Sequence, residues 1–212
     1  APFADIRPAA PPPRAPHDPV PVYVSYAWGG DSEALVDRLA ARMPAGIRLV
    51  RDKRAMRPGD WISDFMREIG RADYVVVVLS TKYLRSIYCV RELLYLYQRS
   101  LGERNDFVRR LLPLIVDDLD LSIHPRLVHV EHWQQEEARL DARIQSVGWM
   151  NAGTTGREEL LLIKDVKHHL SDLLAWLADI LMPRGETLKT DDGLETVCRL
   201  IAERTLESPP PA

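Results

Sequence analysis

The sequence predicts a doubly wound α/β domain, a five-stranded parallel sheet with extra helices at its C-terminal end. Three observations carry this. Short strand patterns alternate with helix-length amphipathic patterns from Val20 to Val116, and such alternation builds βαβ units around a parallel sheet. The run Tyr74 to Ser80 is apolar on both faces, as a central parallel strand must be when helices cover both sides of a sheet. Beyond Val130 only helical patterns remain. For five strands the commonest order is 2-1-3-4-5, which puts a ligand crevice between the C-terminal ends of strands one and three.

The elements follow in order. Half of the 16 prolines fall in residues 1–21, so residues 1–19 read as an extended linker or tail, unable to form a core. Order begins at Val20, with Val22 to Tyr26 as the first strand. The loop Ala27-Trp28-Gly29-Gly30-Asp31-Ser32 leads into a helix carrying Leu35, Val36, Leu39, Ala40 and Met43 at helical spacing. Asp31 or Ser32 is expected to cap it, and Pro44 and Gly46 end it. Ile47 to Val50 is a short second strand. Arg51 to Asp60 is a charged loop containing Pro58-Gly59, and Asp60 is expected to cap a helix with Trp61, Ile62, Phe65, Met66 and Ile69 on its apolar face. After the central strand, Ser86 is the expected N-cap of a helix running to about Ser100. Leu111 to Val116 reads as a fourth strand and Leu127 to Val130 as a weak fifth. Helices are expected over Gln134 to Val147, Glu158 to Leu181 and Leu194 to Arg204. Residues 20–182 thus form the domain and 183–212 a helical extension and tail.

Composition narrows the function. Hydrophobic content of 46% and charged content of 28% suit a soluble globular protein. A net charge of -3 makes nucleic acid no default partner. Cys89 and Cys198 sit in apolar helical patterns and read as buried small hydrophobes in a reducing, cytoplasmic setting. No apolar run approaches a membrane span, and no secretory signal is evident. The chain starts with Ala, which reads as processing or as a piece of something longer.

One residue stands out. Glu92 lies in a helix that is apolar on nearly every side, and its neighbours at three and four positions are Cys89, Tyr95, Tyr88 and Leu96. None of them pairs with a charge, and an unpaired buried carboxylate costs several kcal/mol. Glu92 therefore either reaches water or a distant Arg, or is kept for use. The topology places it beside Trp28, Gly29 and Gly30 after strand one and Ser80 and Tyr83 after strand three. Trp28 reads equally as pocket or packing, and Tyr83 as helix packing before ligand contact. Trp61 and Trp176 read as core.

Several chemistries are excluded. A phospho-acceptor Asp at the end of strand three is replaced by Leu79-Ser80-Thr81. The phosphate-binding loop GxxxxGK[ST] and the dinucleotide fingerprint GxGxxG are both absent. No Ser-His-Asp or Cys-His arrangement is suggested. His129 and His132, on a strand, would point to opposite faces, and His168 and His169 share no helix face, so no metal site is expected.

Taken together, PVYVSYAW, RDKRAMRPGD, YVVVVLSTKYLRSIYCVREL and HVEHW, in order and at suitable spacing, resemble a TIR (Toll/interleukin-1 receptor) domain over roughly Val20 to Met182. Val22 to Tyr26 looks like the first-strand box, Arg51 to Asp60 like the BB loop, and His132-Trp133 like the third box. The long helices after Trp133 are similar to bacterial rather than animal members. The resemblance implies a flavodoxin-like fold and, in many bacterial and plant members, cleavage of NAD+ as substrate, with no cofactor. It implies that Glu92 is the catalytic glutamate and that Tyr88, four residues earlier, lines the same pocket. The family often has Trp at Tyr88, and a basic residue where this chain has Ala27-Trp28. Trp28 can compensate by stacking on a ring.

The chemistry needs few groups. The nicotinamide–ribose bond breaks through an oxocarbenium-like transition state. A fixed carboxylate can hold ribose hydroxyls and stabilise the developing positive charge. Nicotinamide leaves readily, and water or the adenine ring of the same molecule then attacks, giving linear or cyclic ADP-ribose. Asp52, Lys53, Arg57, Pro58 and Gly59 are the candidate assembly residues, through which other TIR domains would dock; Asp52, Lys53 and Arg54 read equally as solvated. The expected partners are NAD+, further copies and an upstream sensor domain or partner protein. Two other readings stand beside this one: a non-catalytic TIR adaptor, and a hydrolase similar to nucleoside deoxyribosyltransferases.

Overall fold

Four parallel strands in the order β2-β1-β3-β4 form the centre of the molecule. The computed structural model describes residues 19–51, 69, 72–116 and 119–207. The strands are β1 (Val20–Tyr26), β2 (Ile47–Val50), β3 (Val75–Leu79) and β4 (Leu111–Ile115). Among the described residues the helices are α1 (Gly30–Arg42), α2 (Thr81–Leu84), α3 (Ile87–Arg99), α4 (Arg104–Arg110), α5 (Ile123–Val147), α6 (Trp149–Ala178) and α7 (Asp191–Ala202). A 3₁₀ turn, Gly185–Lys189, precedes α7, and a π-helical turn, Glu203–Glu207, follows it.

Every residue of β3 is buried, because the period of two sends Val75, Val77 and Leu79 to one face and Val76 and Val78 to the other, and helices cover both. On the first face they meet Val90, Leu93 and Leu96 of α3, Phe107 of α4 and Val166, Leu170 and Leu173 of α6. On the second they join Val22, Val24 and Tyr26 of β1, Leu35, Val36 and Leu39 of α1, and Leu194, Val197 and Ile201 of α7. The doubly wound α/β architecture is therefore as expected, and both cysteines are buried and neither is in a disulfide. Trp176 packs at the core edge, with its ring 5.9 Å from Phe107. Of the helix expected after Asp60, Ile69 is described, helical and buried; Asp60 and Trp61 lie outside the described residues.

Two expectations are corrected. Asp31 and Ser32 do not cap α1. The cap position is Gly29, whose N–H donates to Glu33 Oε2 at 2.8 Å. No strand occupies Leu127 to Val130, which lies inside α5. The LVHV pattern suits either period, but Pro125 sits in the first helical turn, where a missing N–H costs nothing. The helix then buries His129 and Trp133 on one side. Its first turns also displace the expected start at Gln134.

The outer side of β4 instead meets residue 184, through a single parallel bridge between Ile115 and Arg184. The Val116 N–H donates to Leu79 O at 3.0 Å, so Leu112, Leu114 and Val116 direct their backbone groups toward β3. Leu111, Pro113 and Ile115 direct theirs outward. Proline is admitted mid-strand because its absent N–H falls on that outer side. The Leu111 carbonyl there accepts from Arg204 Nη1 at 2.8 Å. Helix α6 is also bent near its start: Gly153, at φ 67° and ψ -173°, separates its first turn from the long remainder.

Candidate functional site

β1 and β3 run side by side, with Ser25 opposite Val77 and Tyr26 opposite Val78. Their C-terminal ends therefore open at the same level. At the end of β3, Ser80 leaves the sheet in an extended conformation, and its Oγ accepts from the Tyr83 N–H at 3.0 Å. That bond starts α2, a single turn. Ser86 then caps α3, accepting from the Cys89 N–H at 3.4 Å. The sharp α2–α3 corner aims the second turn of α3 back at β1, and Glu92 lies in that turn.

Glu92 is only 8% exposed. One partner comes from another element of the fold. Ser25 Oγ of β1 donates to Glu92 Oε2 at 2.5 Å, and Ser25 Oγ lies 2.8 Å from the Tyr83 hydroxyl. That hydroxyl also donates to the Cys89 carbonyl at 3.0 Å. Tyr83 is fully buried, and burial, followed by Cys89 and Glu92, pushes its pKa well above 10.0 against the smaller opposing effect of Ser25. The phenol therefore keeps its proton. A hydrogen bond to a charged group contributes about 1.5–3 kcal/mol, which offsets part of the several kcal/mol that desolvating a carboxylate costs.

The β1–α1 loop borders this group. Ala27 is buried and Trp28 is 48% exposed. Lys82 Nζ donates to the Trp28 carbonyl at 2.6 Å, tying the loop to α2. Gly29 and Gly30 have φ of 84° and 63°, a region L side chains avoid, so the turn into α1 demands glycine at both. Directly after β2, Arg51 is buried and pairs with Asp37 of α1 at 2.6 Å.

The structure thus brings together Glu92, Tyr83 and Ser80 and sets the Trp28-Gly29-Gly30 loop beside them. Ser80 and Tyr83 use their polar atoms within the protein, as helix cap and buried donor. Tyr88 shares the helix of Glu92 but is 56% exposed, so it stands at the rim. Asp52, Lys53, Arg57, Pro58 and Gly59 lie outside the described residues. Ser25 was missed as a site residue; its signal was a hydroxyl in a buried strand on the α3 face.

His129 and His132 sit on α5, where a spacing of three puts them on one side, contrary to the opposed rings expected of a strand. Burial, then Arg85 and His132, lowers the His129 pKa. Among the described residues no group of three or more His, Cys, Asp or Glu is placed to hold a metal ion. A cavity of about 690 Å³ lies between α5 and α6, lined by Arg139, Arg143, Glu159 and Ile163 among others. None of its lining residues belongs to β1, α2 or α3, so it is separate from Glu92.

The TIR domain family model matches residues 22–145. No curated protein matches the chain. The structure is similar to the TIR domains in the structure of the activated Roq1 resistosome directly recognizing the pathogen effector XopQ, at a TM-score of 0.54 and 21% identity, over 87% of this chain and 98% of that one. That likeness is one of fold.

Proposed function

The chain belongs to the TIR domain family, and from that premise we propose that it consumes NAD+, cleaving the nicotinamide–ribose bond when assembled with other TIR domains. The setting proposed is bacterial immune defence, with an upstream sensor domain or partner protein as the trigger. One observation carries the catalytic reading: a carboxylate, Glu92, is buried at the C-terminal ends of β1 and β3 and tied to β1 through Ser25. Ligands of doubly wound sheets bind at this position.

In this reading Glu92 faces the ribose, binds its hydroxyls and stabilises positive charge as the glycosidic bond lengthens. Tyr88 at the rim and the half-exposed Trp28 offer ring faces to nicotinamide or adenine. Gly29 and Gly30 let substrate approach the backbone. Ser80 and Tyr83 shape the site from behind. Water or the adenine ring completes the reaction. The activated assembly in which the Roq1 TIR domains were solved agrees with a requirement for assembly here.

The test is nicotinamide release from NAD+ by the purified chain, free and tethered into multimers. The assembled wild type is expected to turn over. Glu92→Gln is expected to lose on the order of 100-fold or more in turnover, with its thermal midpoint unchanged or raised because a desolvated charge is gone. A silent assembled wild type, or a Glu92→Gln chain with most of its turnover, would leave the non-catalytic adaptor role in its place.

A further inference from the structure

We propose that Ser25 is a positioning residue that locks the Glu92 carboxylate to β1, with Tyr83 locking Ser25 in turn. Its effect on turnover rests on the catalytic reading of Glu92; its effect on the carboxylate itself rests on geometry alone. Ser25 is 1% exposed in a strand whose other buried residues are apolar or aromatic. A buried hydroxyl needs partners. Ser25 finds two, Glu92 Oε2 at 2.5 Å and the Tyr83 hydroxyl at 2.8 Å.

Counting protons shows what the arrangement does. Ser25 has one proton and gives it to Glu92. Tyr83 has one proton, which it shares as a three-centre donor between Ser25 Oγ at 2.8 Å and the Cys89 carbonyl at 3.0 Å. Cys89 lies three residues before Glu92 on α3. The contacts run in sequence from the carboxylate to Ser25, to Tyr83 and, through its shared proton, to the Cys89 carbonyl on the helix that carries Glu92. One element contributes each link, β1 through Ser25, α2 through Tyr83 and α3 through the other two. A hydroxyl is the suitable anchor, because it orients a carboxylate without cancelling its charge. A Lys or Arg in its place would neutralise the charge that a developing cation needs.

Without Ser25 the carboxylate keeps its helix but loses the bond that fixes Oε2 to β1, and productive geometry has a tolerance of about 0.5 Å. The loss then falls on turnover rather than on substrate affinity.

Ser25→Ala, Ser25→Thr, Tyr83→Phe and Glu92→Gln are compared, with Ser100→Ala as the control. Ser100 is a buried serine whose Oγ donates to the Leu96 carbonyl of its own helix. In ¹³C NMR the Glu92 carboxyl resonance, assigned by its absence from Glu92→Gln, is expected to move in Ser25→Ala and hold still in Ser100→Ala. In assembled chains Ser25→Ala is expected to lose at least about tenfold in kcat with KM within about twofold, Ser25→Thr to recover most of it, and Tyr83→Phe to fall between. An unmoved resonance in Ser25→Ala overturns the proposal, as does an unchanged kcat beside an inactive Glu92→Gln. If Ser25→Ala does not fold, Tyr83→Phe decides by the same two readouts. If no chain cleaves NAD+, the catalytic reading falls, and the resonance alone decides whether Ser25 anchors Glu92.

Discussion

Tyr88 holds its ring in solvent one helical turn before a buried carboxylate. An exposed aromatic at that place contributes little to the core, so removing it leaves the fold intact and tests the rim directly. Tyr88→Ala is expected to reduce NAD+ turnover several-fold more than Tyr88→Trp, with both thermal midpoints within about 1 °C of wild type. Equal activities would make Tyr88 an ornament of the surface. His129 offers a test by pH. Its folded pKa lies below its ordinary 6.5, chiefly through burial, then through Arg85 and His132. As pH falls below about 6.5 the unfolded chain takes the proton before the native one does, so stability is lost toward acid. His129→Leu is expected to flatten the fall in unfolding free energy from urea melts between pH 7.5 and 5.5, by no more than about 1.4 kcal/mol per pH unit. Parallel pH profiles would assign the acid sensitivity elsewhere. At this scale Glu92 was legible because a charge in an apolar helix is conspicuous. Ser25 was not, because a serine among valines and tyrosines is an ordinary strand residue until its partner from α3 is known. Tyr83 was legible as packing, and its buried hydroxyl turns that packing into part of the site.

Helix α5 shows where element-level reading stops. Leu127 to Val130 suits a strand as well as a helix, and Pro125 before it is only a weak pointer to a helix start. The deciding contact comes from far along the chain: Trp133 Nε1 donates to the Leu84 carbonyl at 2.9 Å, seating α5 against the α2–α3 corner. Trp133→Phe keeps an aromatic ring but removes the indole N–H and strands that carbonyl, so it is expected to lower stability by about 1–3 kcal/mol. The corner also sets where α3 begins, so nicotinamide release is expected to weaken with it. Denaturant melts of the variant check the first point, and a wild-type midpoint would show the bond to be incidental. β1, β2, β3, β4 and α3 were legible to within about two residues, because each has a dominant period and clear punctuation. α4 (Arg104–Arg110) was not foreseen; its RNDFVRR buries Phe107 alone, too little to make a periodic signal.

For the whole molecule, two apolar clusters on opposite faces of one sheet hold the site at the sheet's end. The order β2-β1-β3-β4 matches the first four places of the expected 2-1-3-4-5, which is why topology alone located Glu92. The loop proposed for assembly lies outside the described residues, so its role is tested in solution. Specific activity is expected to rise with protein concentration, and Gly59→Trp to suppress both multimers and turnover while Glu92 is untouched. Light scattering beside nicotinamide release reads both, and a specific activity flat with concentration would sink the assembly requirement.

The far margin of the sheet limits how such copies can meet. Along β4 one outward carbonyl is occupied by Arg204, the next position is Pro113 with no donor, and the third is bridged to Arg184. A stranger's strand laid there would find no continuous ladder to join. The molecule is thereby insulated on this side against domain swapping and amyloid-like stacking, the hazards that the proposed self-association would have most cause to avoid. Contacts between copies across this margin must be made by side chains, which can be reversed, and not by fused sheets, which seldom are.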